Sequence, residues 1–245
     1  MDRRRVIVAA PWFLLTGAFA QTTFEVASVK ANRSGSPQSR SLARRSFVAE
    51  NLTLKAIICL AFDIPDVQVR GGPAWINSER WDIIAKPGEP VPADSKGDET
   101  MRSMAQALLA ERFHLRVHRK IEKVAGYALL VAKGGPKLKA SDLDKFPGDS
   151  VGNSMIRGSR MPMARLTRLL SGLLGEIVVD QTRLPGEFNI ALNFAPLNPN
   201  VTIESSTGDQ PSLFTALQEV GLRLDHRGIP AELLYIDSAE RPDSN

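Results

Sequence analysis

Hydrophobic residues follow two alternating periods along this chain, and the spacing changes from helical to extended four times. Apolar side chains at positions i, i+3, i+4 and i+7 are typical of a helix with one buried face, and strict alternation is typical of a half-buried strand. The helical period predicts four helices, over residues 53–62, 100–112, 163–174 and 213–220.

Two predicted strands follow each helix, and residues that favour turns separate them. Because short turns join neighbouring antiparallel strands, we expect each helix–strand–strand unit to form a small antiparallel sheet. The eight strands cover residues 67–70 and 80–85, 113–119 and 127–132, 177–180 and 187–194, and 222–226 and 233–237.

The spacing of similar motifs indicates an internal duplication. The interval from Ile57 in the first helix to Leu166 in the third nearly equals the interval from Leu115 to Leu222. The sequence therefore predicts an α+β fold of two homologous halves, each with two helix–strand–strand units whose helices pack on small, mostly antiparallel sheets. We assign residues 21–140 to the N-terminal half, 141–153 to a linker and 154–245 to a C-terminal half that is expected to fold alone.

The first twenty residues have the pattern of a secretory signal peptide. Three arginines precede an apolar stretch interrupted by Pro11, and Ala18 and Ala20 form a small-x-small cleavage motif. We expect cleavage after Ala20 and export to the periplasm or the outside of the cell, with an uncleaved anchor as the alternative. No later segment is apolar enough to predict a membrane span.

Composition narrows the class of protein further. Apolar residues make up 43% of the chain and charged residues 24%, which is typical of a globular protein. Part of the formal net charge of +4 lies in the leader, and no basic run follows it, so a nucleic-acid partner is not expected. The single cysteine, Cys59, excludes a disulfide framework and lies on the apolar face of a predicted helix, which favours a buried thiol.

His114 and His118 are the most tempting candidates for chemistry. Their i, i+4 spacing would suit zinc on a helix, but the surrounding alternation predicts a strand, in which they would stand ~13 Å apart. On that strand Arg116 would point outward with both histidines. We therefore expect neither a metal nor another cofactor, and retain His114, Arg116 and His118 as possible contacts to a ligand or partner.

Trp75 and Trp81 flank a short polar segment. Either ring could stack on a sugar or a peptide; the alternative is that Trp81 begins a core strand, which leaves only Trp75 to be exposed as a possible ligand contact. The chain contains no G-x-S-x-G motif, and the repeated Gly-Gly-Pro segments are typical of turns. No residue is predicted to be catalytic.

Several motifs in the chain carry a family resemblance: FEVASVKANRSG, NLTLKAIICLAF, VRGGPAWINSERWDIIAK, LLAERFHLRVHRK, YALLVAKGGPKLK, VVDQTRLPGEFNIALNFAP and the terminal ERP. Together they resemble a family of exported soil-bacterial proteins, abundant in acidobacteria and defined by a domain of unknown function. Arg183 departs from that pattern, since the family usually has Gly there. The repeat itself is similar to the short N-terminal domain of secretins and TonB-dependent receptors, which binds other proteins.

These observations favour a non-catalytic extracytoplasmic module for protein interaction or sensing. Its expected partner is an envelope or extracellular protein, which could add a strand to an exposed edge at residues 113–119 or 233–237. Two alternatives stay open: a secreted hydrolase with an unrecognised site, and a binder of glycans or small molecules that uses Trp75.

Overall fold

A computed structural model describes residues 23–43, 45–92, 94–140, 150–197 and 210–242, so the predicted signal peptide lies outside the described residues. Within them the protein has four α-helices and three four-stranded sheets. The helices are α1 (Leu54–Phe62), α2 (Ser95–Arg112), α3 (Met163–Leu174) and α4 (Leu213–Glu219). The strands are β1 (Val26–Ala31), β2 (Ser39–Ala43), β3 (Ser46–Thr53), β4 (Val69–Gly71), β5 (Arg80–Lys86), β6 (Arg116–Val131), β7 (Lys139–Ala140), β8 (Ser150–Gly152), β9 (Met155–Pro162), β10 (Val178–Asp180), β11 (Glu187–Asn193) and β12 (Leu222–Ser238).

The first lobe is built on an antiparallel sheet with the strand order β1-β5-β3-β2. Helices α1 and α2 contact each other beside it, and the apolar face of α1 is buried, as its spacing predicts. The hydroxyl of Thr53 accepts a hydrogen bond from Ala56 N–H and caps the helix, while Asp63 ends it in a left-handed conformation. The core of this lobe includes Phe47, Ile83 and Phe113.

The second lobe is also built on an antiparallel sheet, with the strand order β7-β11-β9-β8. Helix α3 ends at Gly175 in the left-handed conformation that favours glycine, as its sequence predicts. The buried hydroxyl of Ser171 accepts a hydrogen bond from Val178 N–H at 2.9 Å and so ties α3 to β10. Helices α3 and α4 enclose a core that includes Ile156 and Phe194.

A long two-stranded ribbon of β6 and β12 connects the two lobes. The strands pair antiparallel from Leu222 opposite Val131 to Ser238 opposite Arg116. Short strands extend the ribbon into a third sheet, because β10 pairs parallel with β6 at one end and β4 pairs parallel with β12 at the other. Each long strand contributes side chains to both lobes: Val117 and Leu234 pack in the first core, and Tyr127 and Leu222 in the second.

The ribbon corrects two expectations drawn from the sequence. The strands predicted at 113–119 and 127–132 are one continuous strand, and so are those at 222–226 and 233–237. Gly126 and Gly228 lie within the paired strands, between the segments that were predicted as separate strands. The two strands of the first unit also fail to pair with each other, since β4 joins the ribbon and β5 joins the first sheet.

Arg183 adopts a φ angle of 58° and its side chain is exposed. A left-handed backbone strains a residue with a Cβ atom, which explains why glycine suits this position. We expect Arg183→Gly to raise the free energy of unfolding by about 0.5–1 kcal/mol, after allowing for the extra chain entropy that glycine brings to the unfolded state. Urea denaturation measures the effect. Arg183→Ala is the control for loss of charge, and an equal gain there would contradict a backbone origin.

Candidate functional site

The C-terminal residues 239–242, here named the strap, cross the surface of the first lobe. The backbone N–H of Glu240 donates to Phe113 O at 2.7 Å, which fixes the course of the strap beside the end of α2. Arg241 donates from Nη2 to Glu79 Oε1 at 2.6 Å and from Nε to Oε2 at 2.9 Å. Its guanidinium also lies over the ring of Trp75, 5.1 Å from the centroid. One side chain thus joins the strap to both an acid and an aromatic ring.

A cleft of about 650 Å³ lies between the strap, β1 and the start of β5, and is named here the strap cleft. Four basic side chains and one acidic side chain line it: Lys30, Arg33, Arg80, Arg241 and Glu79. Trp81 also forms part of the lining, although it is only 5% exposed. Its indole packs edge-on against Trp75 and Phe113, with ring centroids 6.2 and 5.2 Å away. The cleft is therefore basic, with an aromatic cluster beneath it.

The ion pair between Arg241 and Glu79 shifts the ionisation of both groups. Hydrogen bonds from Arg241 lower the pKa of Glu79, and the same bonds raise the pKa of Arg241. Since both groups lie at the surface, salt screens their attraction and the pair adds little to stability. The pair holds the strap against the first lobe, and an anion in solution can compete with Glu79 for Arg241.

His114 and Arg116 line a second cleft, of about 730 Å³, on the other side of the strap. His114 precedes β6 and has a φ angle of 45°, so it lies outside the strand in which the sequence placed it. Glu240 of the strap also lines this cleft. His114 and Arg116 are thus brought together, but the described contacts give His114 no fixed acid or nucleophile.

His118 lies further along β6 and belongs to a separate polar cluster. Its Nδ1 is 2.8 Å from Asp237 Oδ1, and its ring stacks on Tyr235 with centroids 5.2 Å apart. The Tyr235 hydroxyl donates to Glu122, which also pairs with Lys120 at 2.6 Å. The hydrogen bonds from Lys120 and Tyr235 lower the pKa of Glu122, and its carboxylate raises the pKa of Tyr235. Every ionic group in the cluster has a partner, so it works as a cross-strand brace.

The outer edge of β6, from residue 116 to 126, has no strand beside it in the described ranges. Among the described residues its only strand partner in this stretch is β12, because β10 begins at the level of Tyr127. Tyr127 N–H donates to Ile177 O at 2.8 Å, away from β12. Because successive residues of a strand alternate in direction, the N–H groups of Ala125, Lys123 and Ile121 also point to this edge. Ile121 is 72% exposed there.

Sequence reasoning located some of these residues and missed others. Trp81 is in the core as expected, whereas Trp75 is half-buried and its ring is partly covered by Arg241. The pairing of Arg241 with Glu79 was missed, although the terminal Glu-Arg-Pro was noted as a motif. Only the fold brings these two residues together, since they are 162 positions apart. Residues 233–237 are not an edge, because β12 lies between β6 and β4 there.

Cys59 packs against the core of the first lobe, as its helical position predicts. Burial raises the pKa of its thiol to about 12. Since the thiolate is the reactive form, we expect the native protein to react with a disulfide reagent at pH 8 roughly 1,000-fold more slowly than after denaturation. Absorbance of the released thiol measures the rate. Equal rates in the native and denatured protein would contradict a buried thiol.

Among the described residues no group of three histidine, cysteine, aspartate or glutamate side chains could hold a metal ion. None of the described helices has the length and apolar character needed to cross a bilayer.

The fold and its surface define a mixed α/β protein of two lobes joined by a ribbon, with clefts beside a C-terminal strap and an open strand edge. The chain belongs to the family described as Protein of unknown function (DUF3738), whose model matches residues 55–239. Comparison with curated proteins and with solved structures gives no match.

Proposed function

We propose that the protein is a non-catalytic, exported module that recognises an envelope or extracellular protein through the open edge of β6. The observation that carries this proposal is the run of outward-directed backbone groups between residues 116 and 126 that have no strand partner in the described part of the chain. A strand added to such an edge gains main-chain hydrogen bonds, and alternate side chains give selectivity. The leader pattern and the family resemblance support the extracytoplasmic location.

The two edges of the ribbon differ in their capacity to accept a strand. Gly72 N–H donates to Ile236 O at 3.1 Å, so every second residue of β12, including Pro230, points away from β6. Proline has no N–H to donate, and it interrupts the outer edge of β12. Lys123, the residue opposite Pro230, keeps its N–H. Because of this difference, the edge of β6 is better suited than the edge of β12 to accept an added strand.

Side chains beside the β6 edge suit selective recognition rather than general adhesion. Ile121 offers an exposed apolar side chain between the charged residues Arg119 and Lys123. Arg119 is paired across the ribbon with Glu232, whereas Lys123 has no ionic partner among the described side chains. Charged residues on an edge oppose indiscriminate pairing, so a partner must match both the apolar position and the charges.

A proline substitution tests the edge directly. Ile121→Pro removes an N–H that points outward, so it spares the β6–β12 hydrogen bonds, and Ile121→Thr changes the side chain but keeps the N–H. Proteins that co-purify with the full chain from the native envelope are first identified, and their affinity for each variant is then measured. We expect at least about tenfold weaker binding for Ile121→Pro and a much smaller loss for Ile121→Thr. Equal binding by wild type and Ile121→Pro would overturn the proposal that the partner binds at the edge of β6.

A duplication of two halves is the second part of the proposal. Strand β4 lies beside residues 234–236 of β12, and β10 lies beside residues 127–129 of β6. The interval from β4 to β10 along the sequence equals that from Ile57 to Leu166 in the helices. The interval between the two ribbon segments equals that from Leu115 to Leu222. Lys123 and Pro230, which face each other across the ribbon, lie at the centre of the resulting approximate two-fold relation. This symmetry supports descent from one repeated unit, as does the similarity to the short N-terminal domain of secretins and TonB-dependent receptors.

A further inference from the structure

We infer that the strap cleft binds a small organic anion, with its carboxylate or phosphate group held by Lys30, Arg33 and Arg241. This site is separate from the edge of β6 and does not depend on it. Three independent features of the cleft carry the inference: its unbalanced charge, its buried indole donor and its dimensions.

Charge is the first feature. Arg80 donates to Asn51 O at 2.8 Å, and Arg241 is engaged by Glu79. The side chains of Lys30 and Arg33 are both exposed, and among the described residues neither side chain has a hydrogen-bond or ionic partner. Two cations are therefore free to meet an incoming anion, and a third can exchange Glu79 for it. Guanidinium groups suit carboxylate and phosphate because their planar N–H groups form paired hydrogen bonds to two oxygens.

An indole in the lining of the cleft supplies the second feature. Trp81 Nε1 is buried and has no acceptor among the described groups. A buried N–H without a partner is unfavourable, and native proteins seldom leave one. Trp81 is one of the residues that line the cleft, so a ligand oxygen that enters as the covering side chains shift can provide the missing acceptor. Exchange of Glu79 for the ligand would also move the Arg241 guanidinium that lies over Trp75, and so alter the surroundings of that indole.

Dimensions restrict the class of ligand. A volume of about 650 Å³ lies within the range of small-molecule sites and far exceeds a single hydrated ion. Basic lining excludes a metal cation as the natural occupant. An organic acid of one to three sugar or amino-acid units has both the size and the charge that the cleft requires.

Tryptophan fluorescence provides a specific readout, because Trp75 and Trp81 are the only tryptophans besides Trp12. The full chain carrying Trp12→Phe is titrated with digalacturonate and with triglutamate. The neutral counterparts galactobiose and triglutamine, and inorganic phosphate alone, serve as control ligands. We expect a saturable change in emission with at least one organic acid, weaker binding of inorganic phosphate and no change with either neutral compound. Adding Trp75→Phe should reduce the amplitude of the change.

A matched pair of double variants tests the residues. Lys30→Gln with Arg33→Gln removes the two free cations, and Lys133→Gln with Arg223→Gln removes the same charge from exposed positions at the other end of the ribbon. We expect the first pair to weaken binding of the organic acid at least about tenfold and the second to change it less than about twofold. Equal weakening by both pairs would show that the loss of binding comes from the change in net charge alone, and would overturn the assignment of the site to Lys30 and Arg33. Absence of any saturable response at millimolar acid, or phosphate binding as tight as either acid, would overturn it as well.

Discussion

Residues 154–245 expressed alone should show no cooperative unfolding transition. The second core includes Tyr127 and Leu129 from β6, which this fragment lacks. Conversely, Leu234 and Ile236 lie in the fragment but are buried in the first core, so the isolated fragment would expose them to water. Circular dichroism during urea denaturation tests the expectation.

Mixing the fragment with residues 21–140 provides the control. We expect the mixture to regain cooperative unfolding, because each fragment then receives the ribbon strand that it lacks. A cooperative transition of residues 154–245 alone would contradict the shared ribbon. It would instead support the independent C-terminal domain that the composition of the linker predicts.

Leu234→Ala should lower the free energy of unfolding by about 2–5 kcal/mol, the usual range for a leucine truncated in a rigid core. Leu234 is 2% exposed and packs in the first lobe, although it lies in the last strand of the chain. Ile121→Ala on the same ribbon is the matched control, because Ile121 is 72% exposed. We expect it to change stability by less than about 0.5 kcal/mol.

Urea denaturation followed by tryptophan fluorescence measures both variants, since Trp81 lies in the same core as Leu234. If Leu234→Ala costs no more than Ile121→Ala, the end of β12 does not contribute to the core of the first lobe.

Both predictions depend on where strands pair, and there the sequence was only a partial guide. Helix α3 was predicted with its observed bounds because a single strong period and a glycine stop define it locally. Helix α2 begins at Ser95, five residues before the predicted start at residue 100. The side chain of Asp94 caps the observed start by accepting a hydrogen bond from Gly97 N–H. The polar first turn of α2 carries no apolar period, so the pattern could not indicate it.

For the candidate site residues, the sequence likewise predicted local orientation but not tertiary contacts. Alternation correctly predicted that Arg116 and His118 point outward from a strand, and both are exposed. It also placed His114 in that strand, but the left-handed backbone at His114 separates it from β6. The partners of these residues could not be predicted, because Asp237 and Tyr235 reach His118 across a ribbon from a distant part of the chain.

The sequence alone determined the local features of this protein: four helices, the outward and inward faces of its strands, a cysteine packed against the core and the interval between its similar motifs. These features depend on periodicity and on residues close in the chain, which the side-chain pattern specifies directly. Tertiary structure decided that two pairs of predicted strands are continuous, that each half completes the other's core, and that the strap brings Arg241 to Glu79 and Trp75. Those outcomes depend on which distant strands pair and on which surface the chain end covers. Strand pairing and the position of the strap are stabilised by contacts between residues far apart in the chain, and no local sequence pattern specifies those contacts.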